Sequence, residues 1–364
     1  MSHQRFANLS IPIGMAALAA TTLASAIGVA SLAEGGPKAV NQAVSKEISK
    51  ENNKEINVYS GRHYNTDKKL YAEFSRRTGI KVNLLEGKDD ELIQRLRSEG
   101  SRSRADLLVL VDAARVYRAQ ELGLFQTIRS AELNRDVPAN LRDPAGRWYG
   151  LTRRARPVML NRALVNPSLI RTYADLSRSE LKGKLCLRNR ASVYNQSLTA
   201  DELVRRGKPA TQQWLRGLIA NVKQPFFTSD TPMIRAVGQG QCGVTVANQY
   251  YLARMLQDSN SADRAAAARV KVVWPNPTHI NISAGGVTRT ARNPEAARRL
   301  LEFLSSPSAG AGYASANNEY PLKGWGNNPT LKAFGTFKPS PVSMEQLGRH
   351  SRQAVQLMTQ AGWQ

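Results

Sequence analysis

Three tyrosines are the residues of this chain that point most directly to a chemistry. Tyr250 and Tyr251 are adjacent and close the segment 243–251, and Tyr64 ends the sequence GRHY. A phenol becomes a hard oxygen donor once it loses its proton, and its reference pKa is about 10. Only a strongly Lewis-acidic cation such as ferric iron offsets that deprotonation near neutral pH, because metal binding and proton release are one equilibrium. The alternative is that the tyrosine pair is ordinary half-buried packing.

The other candidate donors also favour ferric iron. Zinc sites use cysteine and histidine, and beyond residue 33 the histidines are His63, His279 and His350, which are too scattered for such a site. Calcium would need clustered carboxylates and carbonyl oxygens, which the sequence does not gather near the tyrosines. His63, next to Tyr64, is either a ligand, a neighbour of the ligands or an ordinary packed histidine.

The elements that must position these tyrosines alternate between strand and helix. The first half of the chain predicts strands at 56–60, 80–85 and 106–111, a helix from Asn65 or Thr66 to Gly79, a helix at 91–98 capped by Asp89 or Asp90, and a third helix to Leu122. This order predicts a mostly parallel sheet with helices on both faces. A second α/β series from 185 to about 273 has helices near 198–206, 211–220, 231–237 and 249–257.

Two α/β lobes joined by extended crossings near 148–156 and 279–282 predict a clamshell with a cleft between the lobes. Its N-terminal lobe would comprise 55–153 and 281–320, and its C-terminal lobe 154–280 and 321–364. Ligand sites in open parallel sheets lie outside the carboxyl ends of strands. Tyr64 and Tyr250 each follow a strand closely, so both are expected to line the cleft.

A glycine-containing run at 283–286 precedes the helix predicted at 293–304. Glycine pairs commonly mark turns, because glycine adopts backbone conformations that other residues avoid. We interpret this run as a turn into the helix rather than as part of a binding loop.

The first 33 residues have the layout of a secretory signal peptide. Arg5 is followed by an uncharged, Ala-rich stretch at 6–33, whose end offers the small residues that a signal peptidase needs. An uncleaved anchor is the alternative, although the many Ala, Thr and Ser residues would bury little apolar surface in lipid. Residues 34–54 form a polar lead-in. We therefore expect export to the periplasm, with a thylakoid lumen left open.

The chain is strongly basic, with 51 Lys and Arg against 28 Asp and Glu and a formal net charge of +23. Such a charge raises nucleic acid as a partner. However, the arginines are scattered, and neither zinc-finger spacing nor aromatic platforms accompany them. We expect no nucleic-acid partner and a basic surface that faces an anionic membrane, cell wall or docking partner.

Two cysteines, Cys186 and Cys242, lie in short strand-like runs. An oxidising compartment would allow a single disulfide between them. Sequence alone does not give the distance between their Cα atoms, so the pairing stays open.

Several ordered segments carry a resemblance to one known family. They are 57–64, 182–188, 193–198, 246–251, 281–287 and 317–321. Together they resemble the periplasmic ferric-iron-binding proteins of the FbpA family, in its cyanobacterial FutA branch. The match extends from about residue 56 to the C-terminus. It implies a class II periplasmic-binding-protein fold and delivery of ferric iron to the membrane permease of an ABC importer, with a monomer as the default state.

The resemblance implies a ligand set, position by position. Tyr64, Tyr194, Tyr250 and Tyr251 match the four tyrosine ligands of the branch. His63 matches a histidine that joins the shell in some members and stands aside in others. Because Tyr64 belongs to one lobe and the other three tyrosines to the other, iron binding would be coupled to lobe closure.

Four phenolates carry one negative charge more than Fe(III) offsets, so a nearby cation is expected. Arg254 lies one helical turn after the tyrosine pair. Arg154, on the crossing strand, resembles a family position with the same role. The alternative for each is a solvated surface arginine. The chain departs from the family in placing a further cation, Arg190, near the expected site.

Other functions find less support. The sequence contains no nucleophile elbow, phosphate-cradling loop or paired carboxylates that would line a cleft, so we do not expect an enzyme. One alternative is the same fold with an organic ligand or a small anion. Another is a protective partner of a membrane complex under iron limitation.

Overall fold

The computed structural model describes residues 54–62 and 65–364, and residues Asn52–Gln364 form one compact unit. The predicted signal peptide at 1–33 lies outside the described residues, as does the lead-in apart from its last residue. His63 and Tyr64 also lie outside them.

The first half of the described chain alternates strand and helix as predicted. Its elements are β1 (Glu55–Ser60), α1 (Asn65–Thr78), β2 (Lys81–Glu86), α2 (Asp89–Glu99), β3 (Leu107–Val111), α3 (Ala113–Glu121), α4 (Ala131–Asp136) and β4 (Tyr149–Ala155). Helix α1 ends before Gly79, whose φ of 72° is the left-handed conformation that glycine tolerates. Asp89 and Asp90 lie in the first turn of α2, not at its cap as predicted, because the capping position is Lys88.

The second half continues the alternation. Its elements are β5 (Val158–Asn161), β6 (Leu185–Cys186), α5 (Val193–Ala220), α6 (Asp230–Gly238), β7 (Val244–Val246), α7 (Gln249–Leu256), α8 (Ser261–Ala268), β8 (Val270–Val273), β9 (Ile280–Val287), α9 (Pro294–Ser305), α10 (Pro307–Asn317), α11 (Pro329–Ala333) and α12 (Met344–Gln360). Helix α5 is interrupted at Gly207, with φ 76° and ψ 168°, which separates the two helices predicted there.

The strands form two sheets, each belonging to one lobe. The first-lobe sheet has the order β2-β1-β3-β9-β4, and the second-lobe sheet has the order β6-β7-β5-β8. In the first sheet β9 is antiparallel to both its neighbours, and in the second β5 is antiparallel to both of its own. All other strands of each sheet share one direction, so the predicted mostly parallel arrangement is confirmed.

The chain crosses between the lobes at the two predicted places. From β4 it passes through Arg156 and Pro157 directly into β5, and after β8 it returns to the first lobe in β9. These crossings join two sheets that would otherwise be separate, which is the arrangement of a clamshell.

The prediction of a turn at 283–286 is wrong, because these residues lie inside the buried strand β9. The glycines are needed for close packing. A Cβ atom at Gly286 would lie 2.5 Å from the carbonyl oxygen of Arg147 and 2.5 Å from the Phe125 ring. A larger residue would therefore push the crossing strand away from its neighbours.

The C-terminal helix α12 packs into the hydrophobic cores of both lobes. Met344 and Leu347 belong to the first core, whereas Leu357 and Met358 belong to the second. One helix therefore contacts the cores of both lobes. The predicted lobe boundaries, which assign this helix to the C-terminal lobe, stay a prediction. Among the described residues, no helix combines the length and the apolar character needed to cross a bilayer.

Candidate metal centre

Three of the four predicted tyrosine ligands meet in the second lobe. Tyr194 lies in the first turn of α5, and Tyr250 and Tyr251 lie in the first turn of α7. The hydroxyl of Tyr250 donates a hydrogen bond to that of Tyr194 at 3.3 Å. The rings of Tyr250 and Tyr251 stack with centroids 4.4 Å apart. The fourth, Tyr64, is outside the described residues.

Local sequence explains why these phenols converge. Strand β7 ends at Val246, and the chain then turns at Asn248 into α7, so the tyrosine pair emerges at the carboxyl end of the strand. The side-chain amide nitrogen Nδ2 of Asn248 donates a hydrogen bond to the hydroxyl of Tyr250 at 3.3 Å. Tyr250 is almost fully buried, whereas Tyr194 and Tyr251 are half-buried. The site therefore faces an opening but is anchored in the core.

The surroundings of Tyr251 favour its neutral form. Burial raises the pKa of the Tyr251 phenol well above its ordinary value, and the proximity of Tyr194 and Asp230 raises the pKa further. The hydrogen bond with Tyr250 opposes that shift. A phenol in this environment ionises near neutral pH only when a cation takes the place of its proton.

Guanidinium groups surround the tyrosines on several sides. The guanidinium carbon of Arg254 lies 5.0 Å from the ring centroid of Tyr250, and that of Arg154 lies 5.6 Å from the ring centroid of Tyr194. Both predicted cations therefore lie beside the cluster. Arg154 is fully buried, which is rare for an arginine that is only a solvated surface charge.

Two further arginines beside Tyr194 escaped the sequence analysis. The guanidinium carbons of Arg156 and Arg188 each lie 5.8 Å from its ring centroid. The buried carboxylate of Asp230 holds both, at 2.6 Å from Nη1 of Arg188 and 3.7 Å from Nη1 of Arg156. Burial lowers the pKa of Arg156, and Asp230 opposes that shift. Asp230 is visible in the sequence as an acidic residue at the start of α6. Nothing in the sequence indicates that it lies beside the tyrosines.

Arg190, by contrast, is directed elsewhere. Its Nε donates to the carbonyl oxygen of Trp363 at 3.1 Å, and its backbone N–H donates to that of Gln364. The guanidinium is therefore tied to the C-terminal residues, because the chain end packs against the start of α5. Arg188, two residues earlier, is the cation from this segment that reaches Tyr194.

Tyr194 also faces the first lobe across a cavity of about 330 Å³. The opposite wall includes Gly61, Asp89, Val111 and Arg115. Burial raises the pKa of Asp89 to about 6, while the guanidinium of Arg115 at 3.0 Å and the backbone N–H of Val111 at 2.7 Å partly oppose this shift. The cavity therefore places Tyr194 at the cleft between the lobes.

A disulfide joins Cys186 to Cys242. Cys186 ends β6, eight residues before Tyr194, and Cys242 precedes β7, which leads to the tyrosine pair. The bond therefore links the two chain segments that carry the second-lobe tyrosines. Within the described residues, no group of three or more His, Cys, Asp and Glu side chains is placed to hold a metal ion.

Comparison with known proteins defines the class. The family model of bacterial extracellular solute-binding proteins matches residues 103–338, and the chain belongs to this family. It is 44% identical over 313 residues to iron uptake protein A1 of Synechocystis sp., which covers 85% of this chain and 87% of that protein.

A solved structure and a more distant relative extend the comparison. The structure of Trichodesmium FutA (IdiA) in complex with iron and citrate has a TM-score of 0.83 and 43% identity, covering 85% of this chain and 100% of that one. The Fe(3+)-binding periplasmic protein of Serratia marcescens is 28% identical over 319 residues, covering 84% of this chain and 90% of that protein. The two-lobed clamshell is thus the fold of this chain and of its relatives.

Proposed function

We propose that this chain captures Fe(III) as cargo in the cleft between its lobes, through tyrosinate ligands, and delivers it to the permease of an ABC importer. The observation that carries the proposal is the convergence of Tyr194, Tyr250 and Tyr251, the first of which lines the cavity between the lobes. Relatives named for iron uptake and Fe(3+) binding support the same cargo.

In this proposal, Tyr64 supplies the fourth phenolate from the first lobe, with His63 beside it. The three second-lobe phenols lie within contact of one another, so iron can bind to them before the lobes close. Closure then brings the first-lobe ligand to the ion. Ligands divided between two lobes make the closed shape depend on the cargo, which lets a permease distinguish loaded from empty protein.

Charge balance supports a cargo with anionic ligands. Four phenolates around Fe(III) leave a net negative charge, and a buried charge requires a partner. Arg154, Arg156, Arg188 and Arg254 lie 5.0 to 5.8 Å from the tyrosine rings. An organic cation would be repelled by these groups. A small anion alone would leave the stacked phenols without a role.

The setting follows from the same proposal. The chain would be exported to the periplasm as a monomer, would meet the permease there, and would use its basic surface for peripheral contact with an anionic membrane. The named relatives are iron uptake and iron-binding proteins, and we assign no catalytic reaction. A protective role beside a membrane complex is the alternative, but no contact or cavity described above favours it.

The test is a visible absorption spectrum of the purified mature protein after addition of ferric citrate. We expect a broad phenolate-to-iron charge-transfer band that is lost in the Tyr250→Phe/Tyr251→Phe variant. Tyr320→Phe is the matched control, because its buried hydroxyl has no hydrogen-bond partner among the described residues. A colourless wild-type protein would contradict the proposal and redirect the search to organic ligands or small anions.

A further inference from the structure

We infer that Asp112 is a positioning residue that couples closure of the two lobes to the placement of Tyr194, an inference that rests on the proposed function. Asp112 follows β3 and precedes α3, with both oxygens buried. Its φ of 89° lies in the left-handed region, which a non-glycine residue adopts only at an energetic cost. The surrounding contacts must therefore hold it in place.

One carboxylate contacts both lobes and both crossing strands. Oδ1 accepts a hydrogen bond from the Ser197 hydroxyl at 2.6 Å, and Oδ2 accepts one from the Asn281 amide at 2.9 Å. Nη2 of Arg154 lies 3.8 Å from Oδ2. Ser197 is on α5 of the second lobe, whereas Asn281 and Arg154 are on the crossing strands β9 and β4.

Two of these contacts lead directly to Tyr194. Ser197 lies three residues after Tyr194 on α5, so the two side chains share a helix face. The guanidinium of Arg154 lies over the Tyr194 ring, and its Nε and Nη2 have no hydrogen-bond partner among the described residues. The charge of Asp112 therefore helps to fix where that guanidinium lies.

The bond between Asp112 and Ser197 must respond to lobe movement. It joins the end of a first-lobe strand to a second-lobe helix, so rotation of one lobe against the other changes its length. A purely structural aspartate would need only its contacts within the first lobe, such as the cap on the Ala114 N–H at 3.0 Å. The additional contacts of Asp112 with Ser197 and Arg154 indicate that it couples lobe closure to the placement of Tyr194.

The primary experiment compares Ser197→Ala with Thr199→Val. Thr199 is a buried residue on the same helix, but among the described residues its hydroxyl bonds only to the carbonyl oxygen of Asn195 one turn earlier. Each protein is titrated with ferric citrate while the charge-transfer band and the small-angle scattering radius of gyration are recorded. We expect Ser197→Ala to bind iron at least about tenfold more weakly, because hydrogen bonds to charged groups are the stronger ones. We also expect it to shrink less on loading, whereas Thr199→Val should behave as wild type.

A second pair of variants tests the same coupling without changing the Ser197 hydroxyl. Asp112→Asn keeps the shape and removes the charge, so we expect weaker iron binding and a shifted charge-transfer maximum. Asp106→Asn is its control, because Asp106 is equally buried but its donors in the described part of the chain all belong to the first lobe, namely Asn57, Arg292 and Asn293. A general loss of stability would affect both variants and leave the band position unchanged.

The outcomes separate the two claims. If wild-type protein shows the band, and both Ser197→Ala and Asp112→Asn match their controls in affinity, band position and compaction, the coupling is wrong while the iron site stands. If wild-type protein shows no band, the iron site itself is wrong, and the coupling fails with it.

Discussion

The hydroxyls of Tyr250 and Tyr194 lie 3.3 Å apart, although 56 residues separate them in the chain. They meet because α5 and α7 both begin at the cleft side of the second-lobe sheet and each carries its tyrosine in the first turn. The second lobe thus holds three neighbouring phenols before any cation arrives.

Iron loading should release protons in proportion to the phenols that bind. With Tyr64 as the fourth ligand, about four protons should leave per iron near pH 7, and apparent affinity should fall steeply as the pH is lowered. Because its pKa is raised, Tyr251 should enter the reaction protonated and, as a proposed ligand, should contribute one of them. Proton release can be measured with an indicator dye in weakly buffered solution. Tyr251→Phe should release about one proton fewer than Tyr320→Phe, and equal release would show that Tyr251 is not a ligand.

Removal of the Arg188 charge should weaken iron binding. Its guanidinium lies 5.8 Å from the Tyr194 ring, close enough to offset negative charge on the proposed iron ligands. We expect Arg188→Gln to lower the affinity for iron about tenfold in competition with citrate. Arg190→Gln is the matched control, since that side chain binds the carbonyl oxygen of Trp363 instead. A larger loss in Arg190→Gln would contradict this assignment of the two arginines.

Loss of the disulfide should destabilise the protein. The bond closes a loop between residues 56 positions apart, so the chain-entropy model predicts a loss of about 4 kcal/mol in the free energy of unfolding for Cys186→Ala/Cys242→Ala. Urea unfolding of the variant, beside wild type with and without a reductant, measures the effect. An oxidised wild type no more stable than the reduced one would argue against it.

Asp89 should give the protein an unusual pH dependence. Because burial raises its pKa from 3.8 to about 6, its contribution to stability is present in full below the unfolded value and is lost as the pH rises through about 6. Between about pH 4 and pH 7 the stability of wild type should therefore fall by about 2 kcal/mol relative to Asp89→Asn. Urea unfolding across this range checks it. Asp90→Asn, whose side chain is 52% exposed, should follow wild type closely.

The crossing strand should not tolerate a side chain at position 286. A methyl group there would meet the Arg147 carbonyl and the Phe125 ring, so we expect Gly286→Ala to lower the free energy of unfolding by about 1–3 kcal/mol or more. At Gly310, in α10, the nearest atom to a new Cβ would be 3.9 Å away. Gly310→Ala should therefore be neutral or slightly stabilising, because alanine favours a helix. Denaturant unfolding compares the two variants.

The alternation of strands and helices was predictable because local hydrophobic periodicity and stop signals such as Gly79 indicate it. The placement of Tyr250 followed from the same rule, since it comes directly after a strand. Tyr194 was reached through family resemblance, because its helix begins after an irregular segment with no local signal. Of the four arginines described beside the tyrosines, the sequence analysis predicted Arg154 and Arg254.

Arg156 and Arg188 look like any of the 51 basic residues in the sequence. Their inward orientation is set by Asp230, which is 42 positions from Arg188 and meets it only in the folded chain. The glycines at 285 and 286 led to the wrong prediction of a turn for a related reason. Phe125 and Arg147 leave no room for a side chain at Gly286, and Leu301 limits the room at Gly285. The sequence around the glycines gives no sign of these contacts.

The disulfide between Cys186 and Cys242 has a consequence for where the protein matures. Such bonds persist in oxidising compartments and are kept reduced in the cytosol. In the exported setting proposed above, the bond would therefore join the segments that present Tyr194 and the tyrosine pair only after the chain has left the cytosol.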